Sequence, residues 1–157
     1  MGRKARMAEK VAAALAMQCK IDAVCARPTD LSVLRGSPEP CAGERARGLA
    51  QRVYEVAMQE LGVGVDAGPV AMQEGGVSLK FDGPRESEVV FIIPQDGAWV
   101  WAFCGDDSGC DWTPDPATGE AGWRVALVWL AAVKDGETFG LRTGIARAGD
   151  VVGARKP

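Results

Sequence analysis

The residues with the clearest capacity for chemistry sit in one stretch, "CGDDSGCDW", at residues 104–112. Cys104 and Cys110 enclose Asp106 and Asp107, and Asp111 and Trp112 follow. A zinc site without imidazole needs four thiolates or carboxylates, with cysteine pairs two to four positions apart. Cys104 and Cys110 are too widely spaced for that, and Cys19, Cys25 and Cys41 offer no closer pair. A calcium loop needs oxygen ligands at alternate positions and glycine at the sixth. Counted from Asp106, the fifth position is Cys110 and the sixth Asp111, so the pattern fails. A redox pair would lack the two-residue spacer that lowers a thiol pKa at a helix start.

The reading that remains is a solvated hairpin loop leaving a strand at Phe103 and returning near Gly122. It is rich in Gly, Asp, Pro and Thr, and it carries Asp106, Asp107, Asp111, Asp115 and Glu120 with no base. Loops beyond about 12 residues in compact domains are usually functional or disordered. The expected partner-binding residues are therefore Asp106, Asp107, Asp111, Trp112 and Asp115, docking on a basic surface.

The chain has no histidine. That removes the usual general base near neutral pH, the Ser–His and Cys–His pairs, and every imidazole-containing zinc site. No phosphate-binding loop is present: the glycines of "LGVGVDAGP" and "GGVSL" lack a following Lys-Ser/Thr and a strand-to-helix setting. No catalytic residue, cofactor or metal is expected.

The elements that must position these residues follow from periodicity. Apolar residues at steps of three and four (Met7, Val11, Ala14, Leu15) predict a helix over residues 4–25, ending before Arg27-Pro28. "TDLSVLRG" suggests a further helical turn, and "SPEP" a hinge at residues 37–40. A second helix is expected over residues 42–61, with Leu49, Val53, Val56, Ala57 and Leu61 as its stripe and Gly62 as a left-handed cap. The period then changes to two. "VSLKFD", "EVVFII" and "WVWAF" read as three meandering strands joined by turns at "DGPRES" and "PQDGA". Residues 123–145 admit two readings. The alternation of Trp123, Val125, Leu127 and Trp129, with "KDGE" as a turn, favours a hairpin; a buried helix over residues 123–133 is the alternative.

Helices followed by strands imply an α+β fold, with N-terminal helices packed on one face of an antiparallel β-meander. The expected division is an N-terminal helical segment (1–40), a helix-plus-sheet domain (41–150) and a flexible tail (151–157). Five tryptophans cluster in the sheet region: most should fill the core, and any that are exposed would mark an interface.

Residues 49–103, with "ELGV", "GGVSLKF" and "PQDGAWVW", resemble a recurring arrangement in small uncharacterised bacterial and phage-borne proteins. There a helix ending in "LGV" leads to a "GGVxLxF" strand and a "PDG" hairpin; here Gln95 stands between Pro94 and Asp96. The resemblance implies the helix-on-meander fold and assigns no functional residue.

At 47% hydrophobic and 25% charged, the composition is that of one globular domain. Its net charge of −3 hides an asymmetry: residues 1–60 hold ten Lys/Arg against seven Asp/Glu, and the remainder eight against fourteen. No apolar run approaches the roughly 20 residues of a bilayer span. Arg6 stands where a myristoylation signal needs Ser or Thr. Five cysteines without a secretory signal point to a reducing, cytoplasmic setting. The function expected is a non-enzymatic protein-binding or inhibitory module of the immunity, antitoxin or phage counter-defence type. Its partner would be another protein such as a basic nuclease or effector, met in part by nucleic-acid mimicry. The alternatives are a small enzyme or ligand-binding domain using carboxylates or a cysteine in a sheet cleft, and nucleic-acid binding by the basic N-terminal helix through Arg3, Lys4, Arg6 and Lys10.

Overall fold

The computed structural model describes residues 2–25, 42–72, 74–137 and 140–154. The expected helical turn and hinge between residues 29 and 40 lie outside these. Helix α1 (Arg3–Cys25) and helix α2 (Glu44–Leu61) come first. Five strands follow: β1 (Val70–Ala71), β2 (Val77–Asp82), β3 (Glu88–Ile93), β4 (Trp101–Gly105) and β5 (Asp111–Trp112). A single 3₁₀ turn (Pro116–Thr118) leads into α3 (Gly119–Lys134) and α4 (Leu141–Ala154). The strands form one antiparallel sheet in the order β1-β2-β3-β4-β5. The protein is α+β, with its helices on one face of a meander.

Side-chain alternation decides which face. Val77, Leu79 and Phe81 of β2, Val89, Phe91 and Ile93 of β3, and Ala102 and Cys104 of β4 all point inward and are buried. Helix α2 meets them with Val53, Val56 and Ala57, and α3 with Trp123, Leu127 and Leu130. Phe91 sits at the centre, edge-on to Phe81 (5.8 Å between ring centroids) and to Trp123 (5.7 Å). Helix α1, in the expected N-terminal helical segment, packs into this core through buried Met17, Ile21 and Cys25.

Residues 123–134 are helical, and so are 141–145, correcting the hairpin favoured by alternation. Trp123, Ala126, Leu127, Leu130 and Val133 are buried at steps of three and four. The alternating set had equally apolar residues on its other face, and a run this long suits a helix better than a strand. Asp135-Gly136 ends α3 rather than turning a hairpin. Asp135 N–H donates to the Ala131 carbonyl (3.0 Å), and Gly136, at φ 85°, donates to the Val133 carbonyl (3.2 Å). Residues 151–154, expected in a flexible tail, are the last turn of α4. Gly62 ends α2 by donating to the Met58 carbonyl at φ 106° and ψ 157°, an extended glycine conformation instead of the expected left-handed cap.

The β3–β4 turn is pinned to the start of α2. Gly43 N–H donates to the Gln95 carbonyl (3.0 Å). A Cβ at Gly97, itself at φ 65°, would stand 2.8 Å from the Ala46 nitrogen, so only glycine fits there. Helices α2 and α3 are tied at their surface by Arg52 Nε to Glu120 Oε1 (2.7 Å), Arg124 Nη2 to Glu120 Oε2 (3.2 Å) and Arg124 Nη1 to Glu60 Oε1 (3.5 Å). The hydrogen bond from Arg52, helped by Arg124, holds the Glu120 carboxyl below the ordinary range.

Two substitutions separate the core from this surface tie. Phe91→Ala should cost about 3–5 kcal/mol in urea unfolding, because it deletes a ring buried on every side. Glu120→Gln should cost under about 1 kcal/mol, since the side chains are about two-fifths exposed and water screens them. Glu120's contribution is complete above the ordinary carboxylate pKa and is lost as pH falls through its lowered value, so Glu120→Gln should flatten the acid limb of stability.

Candidate functional site on the outer face of the sheet

With every described helix on one side, no described element covers the opposite face of the sheet. Strand register arranges its side chains in three rungs. Val70, Ser78, Ile92 and Trp101 form the first. Lys80, Val90 and Phe103 form the second, and Asp82, Glu88, Gly105 and Asp111 the third. The face therefore grades from apolar to acidic along the strands.

Its apolar half is an aromatic ladder. Trp99 packs edge-on to Trp101 (5.2 Å, 89° between ring planes), and Trp101 stacks near-parallel on Phe103 (6.1 Å, 16°). Trp99 is 40% and Phe103 42% exposed. Rings of this size are large apolar bodies for which covering is favourable, and aromatic residues are enriched where proteins meet.

At the acidic end the β2–β3 and β4–β5 turns lie side by side around an open depression of about 480 Å³. Asp82, Glu86, Glu88, Asp106 and Asp111 line it, with Lys80 as the one lining base. Lys80 Nζ lies 3.3 Å from Glu88 and 3.6 Å from Asp82; the hydrogen bond to Glu88 and the charge of Asp82 raise its pKa. The β2–β3 turn holds two consecutive non-glycine residues, Arg85 and Glu86, at φ 56°. Such backbone is sparsely populated for side-chain-bearing residues, and it sets Glu86 over the depression.

The loop expected to run from Phe103 to Gly122 is broken into a five-residue turn (106–110), strand β5 and the 3₁₀ turn. Of the five residues expected to bind a partner, Asp106 and Asp111 reach the acidic depression. Asp106 also accepts from Ser108 N–H (2.9 Å) and from the Ser108 hydroxyl, which closes the turn. Asp107 is exposed and, with Asp106, lines a smaller neighbouring cavity. Asp115 lies apart from the row. It caps the 3₁₀ turn, accepting from Ala117 N–H at 2.9 Å. Trp112 pairs with inward-facing Cys104 and is half-buried against the core. With Asp111, Arg142 and Ile145 it lines an open pocket of about 470 Å³, distinct from the acidic depression. Among the described residues the exposed aromatics are Trp99 and Phe103, with Trp101 between them; their alternation is plain in "WVWAF", but not which parity faces water.

Cys104 and Cys110 are free thiols. Burial pushes the Cys104 thiol up to about 12, the opposite of what a nucleophile or redox thiolate requires. Among the described residues, no group of three Cys, Asp or Glu side chains converges as a metal ion would require. No described helix is long and apolar enough to cross a membrane. Compared with known proteins, the chain matches no family model, no curated protein and no solved structure.

The thiols provide a direct check of this geometry. In native protein at neutral pH, exposed Cys19 should be alkylated well before Cys104, which should react only on unfolding, read by mass spectrometry of labelled peptides. Because folding favours the protonated Cys104 thiol, its contribution to stability is complete below the ordinary thiol pKa near 9 and is lost as pH rises toward about 12. Cys104→Ala should therefore reduce the fall in stability above pH 9.

Proposed function

We propose that this chain is a non-enzymatic protein-binding module whose contact surface is the outer face of the sheet. The partner it suits carries basic side chains beside an apolar surface. The observation that carries this reading is the aromatic ladder of Trp99, Trp101 and Phe103 lying open beside the depression formed by Asp82, Glu86, Glu88, Asp106 and Asp111. Aromatic anchors next to a single-sign electrostatic field are the ingredients of specific and rapid association. Guanidinium groups suit both halves, since they pair with carboxylates and stack on indole faces. The inhibitory and accessory roles of immunity, antitoxin or phage counter-defence proteins fit such a surface, with a basic nuclease or effector as the partner. The acidic row would then stand where that partner otherwise holds phosphates. The setting proposed is the cytoplasm, where unpaired thiols persist.

Catalysis by a buried thiolate is disfavoured by the direction in which Cys104 is shifted. Nucleic-acid binding through α1 would place a basic helix on a protein whose remaining surface is predominantly acidic.

Affinity capture with three baits tests the proposal. The wild type should retain a basic protein that elutes as salt rises from about 0.1 M toward 1 M, where exposed charges are screened. Asp82→Asn/Asp106→Asn/Asp111→Asn should lose it; asparagine keeps the Asx-turn acceptor at residue 106, so the turn survives. Trp101→Ala/Phe103→Ala should lose it as well. Retention of the same partner by both variants would end the proposal.

A further inference from the structure

A second surface remains exposed, and it complements the first. Met17, Ile21 and Cys25 bind α1 to the core, but the N-terminal half of the helix projects from it. Met7, Val11 and Leu15 are between 57% and 63% exposed. They fall at four-residue steps along one side of the helix. Arg3, Lys4, Arg6 and Lys10 surround the first two turns and are likewise exposed, against a single acid, Glu9. The helix thus grades from basic to apolar along its axis, as the sheet face grades from acidic to apolar along its strands.

The two gradients have the same length. Arg3 to Leu15 spans about 18 Å at the helical rise. Gly105 to Trp99 spans about 20 Å at the strand rise. A helix laid along β4 with its N-terminus at the third rung would bring Arg3 and Lys4 to the acids, with Arg6 and Lys10 on its flanks. Met7, Val11 and Leu15 would then lie along the Phe103, Trp101 and Trp99 ladder. Within one chain this contact is out of reach. Gln51 Nε2 donates to the Ala14 carbonyl (2.8 Å), and the buried half of the same helix holds it in the helical layer, behind the sheet.

We propose that the N-terminal half of α1 docks on the outer sheet face of a second copy of this chain. The inference rests on the face assigned above as the contact surface, and it makes the protein's own basic helix the competitor of any basic partner. Self-association through this contact sequesters the aromatic ladder until a partner displaces the helix.

Sedimentation analysis of the full chain tests this, with circular dichroism confirming that each variant is folded. The wild type should dimerise at micromolar concentration, with the dimer weakening at least tenfold as salt rises from about 0.05 M to 0.5 M. Val11→Glu/Leu15→Glu alters only exposed positions of α1, and Phe103→Lys only the ladder; each alone should weaken the dimer at least tenfold. An equimolar mixture of the two variants should restore association, because it contains one intact helix and one intact face. A wild type that stays monomeric up to about 1 mM, a dimer indifferent to Phe103→Lys, or a mixture that fails to associate would each overturn the inference. In affinity capture, Val11→Glu/Leu15→Glu should keep the basic partner while Phe103→Lys loses it. A monomeric wild type that still captures that partner sinks the docking of α1 alone, whereas a well-behaved dimer that captures nothing sinks the partner-binding reading alone.

Discussion

One constraint organises this molecule: a five-stranded meander is covered by helices on a single face. Every inward position of β2 and β3 is filled by Val, Leu, Phe or Ile. Strand β4 instead turns Ala102 and Cys104 inward, and α3 packs across this strand. The bulk that β4 does carry must therefore stand on the other side. Trp99, Trp101 and Phe103 face water because their neighbours in sequence are the ones that fit under a helix. Alternation makes the two faces inseparable, since a one-residue slip would bury the ladder and expose Ala102 and Cys104.

Keeping such a ladder open is costly. Covering the exposed part of Trp99 or Phe103 would return on the order of 2 kcal/mol each by area. The rings gain something from one another, but edge-on and stacked contacts leave their outer surfaces wet. The acids at the far end of the same strands keep this face hydrated and opposed to others of like charge, which limits indiscriminate association. An apolar surface so flanked selects partners by sign. The arrangement couples an energetic reason to bind with a filter on what may bind. The same logic makes the projecting, basic half of α1 on a second copy of the chain a natural counterpart.

The sequence made much of the fold legible and less of the site. The helices over residues 4–25 and 42–61 and the strand over 77–82 follow from periodicity, each with an apolar stripe and a polar side. The strands "EVVFII" and "WVWAF", apolar on both faces, follow instead from β-rich composition and the turns that bound them. The segment after Trp123 did not, since Ala126, Val128 and Leu130 are as apolar as the residues between them; period carries no information where both faces are buried. Asp135-Gly136 compounded the error, as the same dipeptide serves a hairpin turn or a helix end. For the site, the acids of "CGDDSGCDW" drew attention to Trp112, which pairs with Cys104 and is half-buried. The acidic row instead recruits Asp82, Glu86 and Glu88 from a hairpin about twenty residues earlier. That neighbourhood is made by strand order and register, which no local motif encodes.

The sidedness of the sheet can be tested without knowing any partner, because the five tryptophans report on both faces. Solvent paramagnetic relaxation of the indole N–H groups, measured by NMR on the Val11→Glu/Leu15→Glu variant so that no second copy's α1 covers the ladder, reads each ring's exposure directly. Trp99 should relax most strongly, Trp101 and Trp112 less, and Trp123 and Trp129 should be protected. Strong relaxation of Trp123 or Trp129, or protection of Trp99 and Trp101 alike, would contradict a sheet that is covered on one face and open on the other.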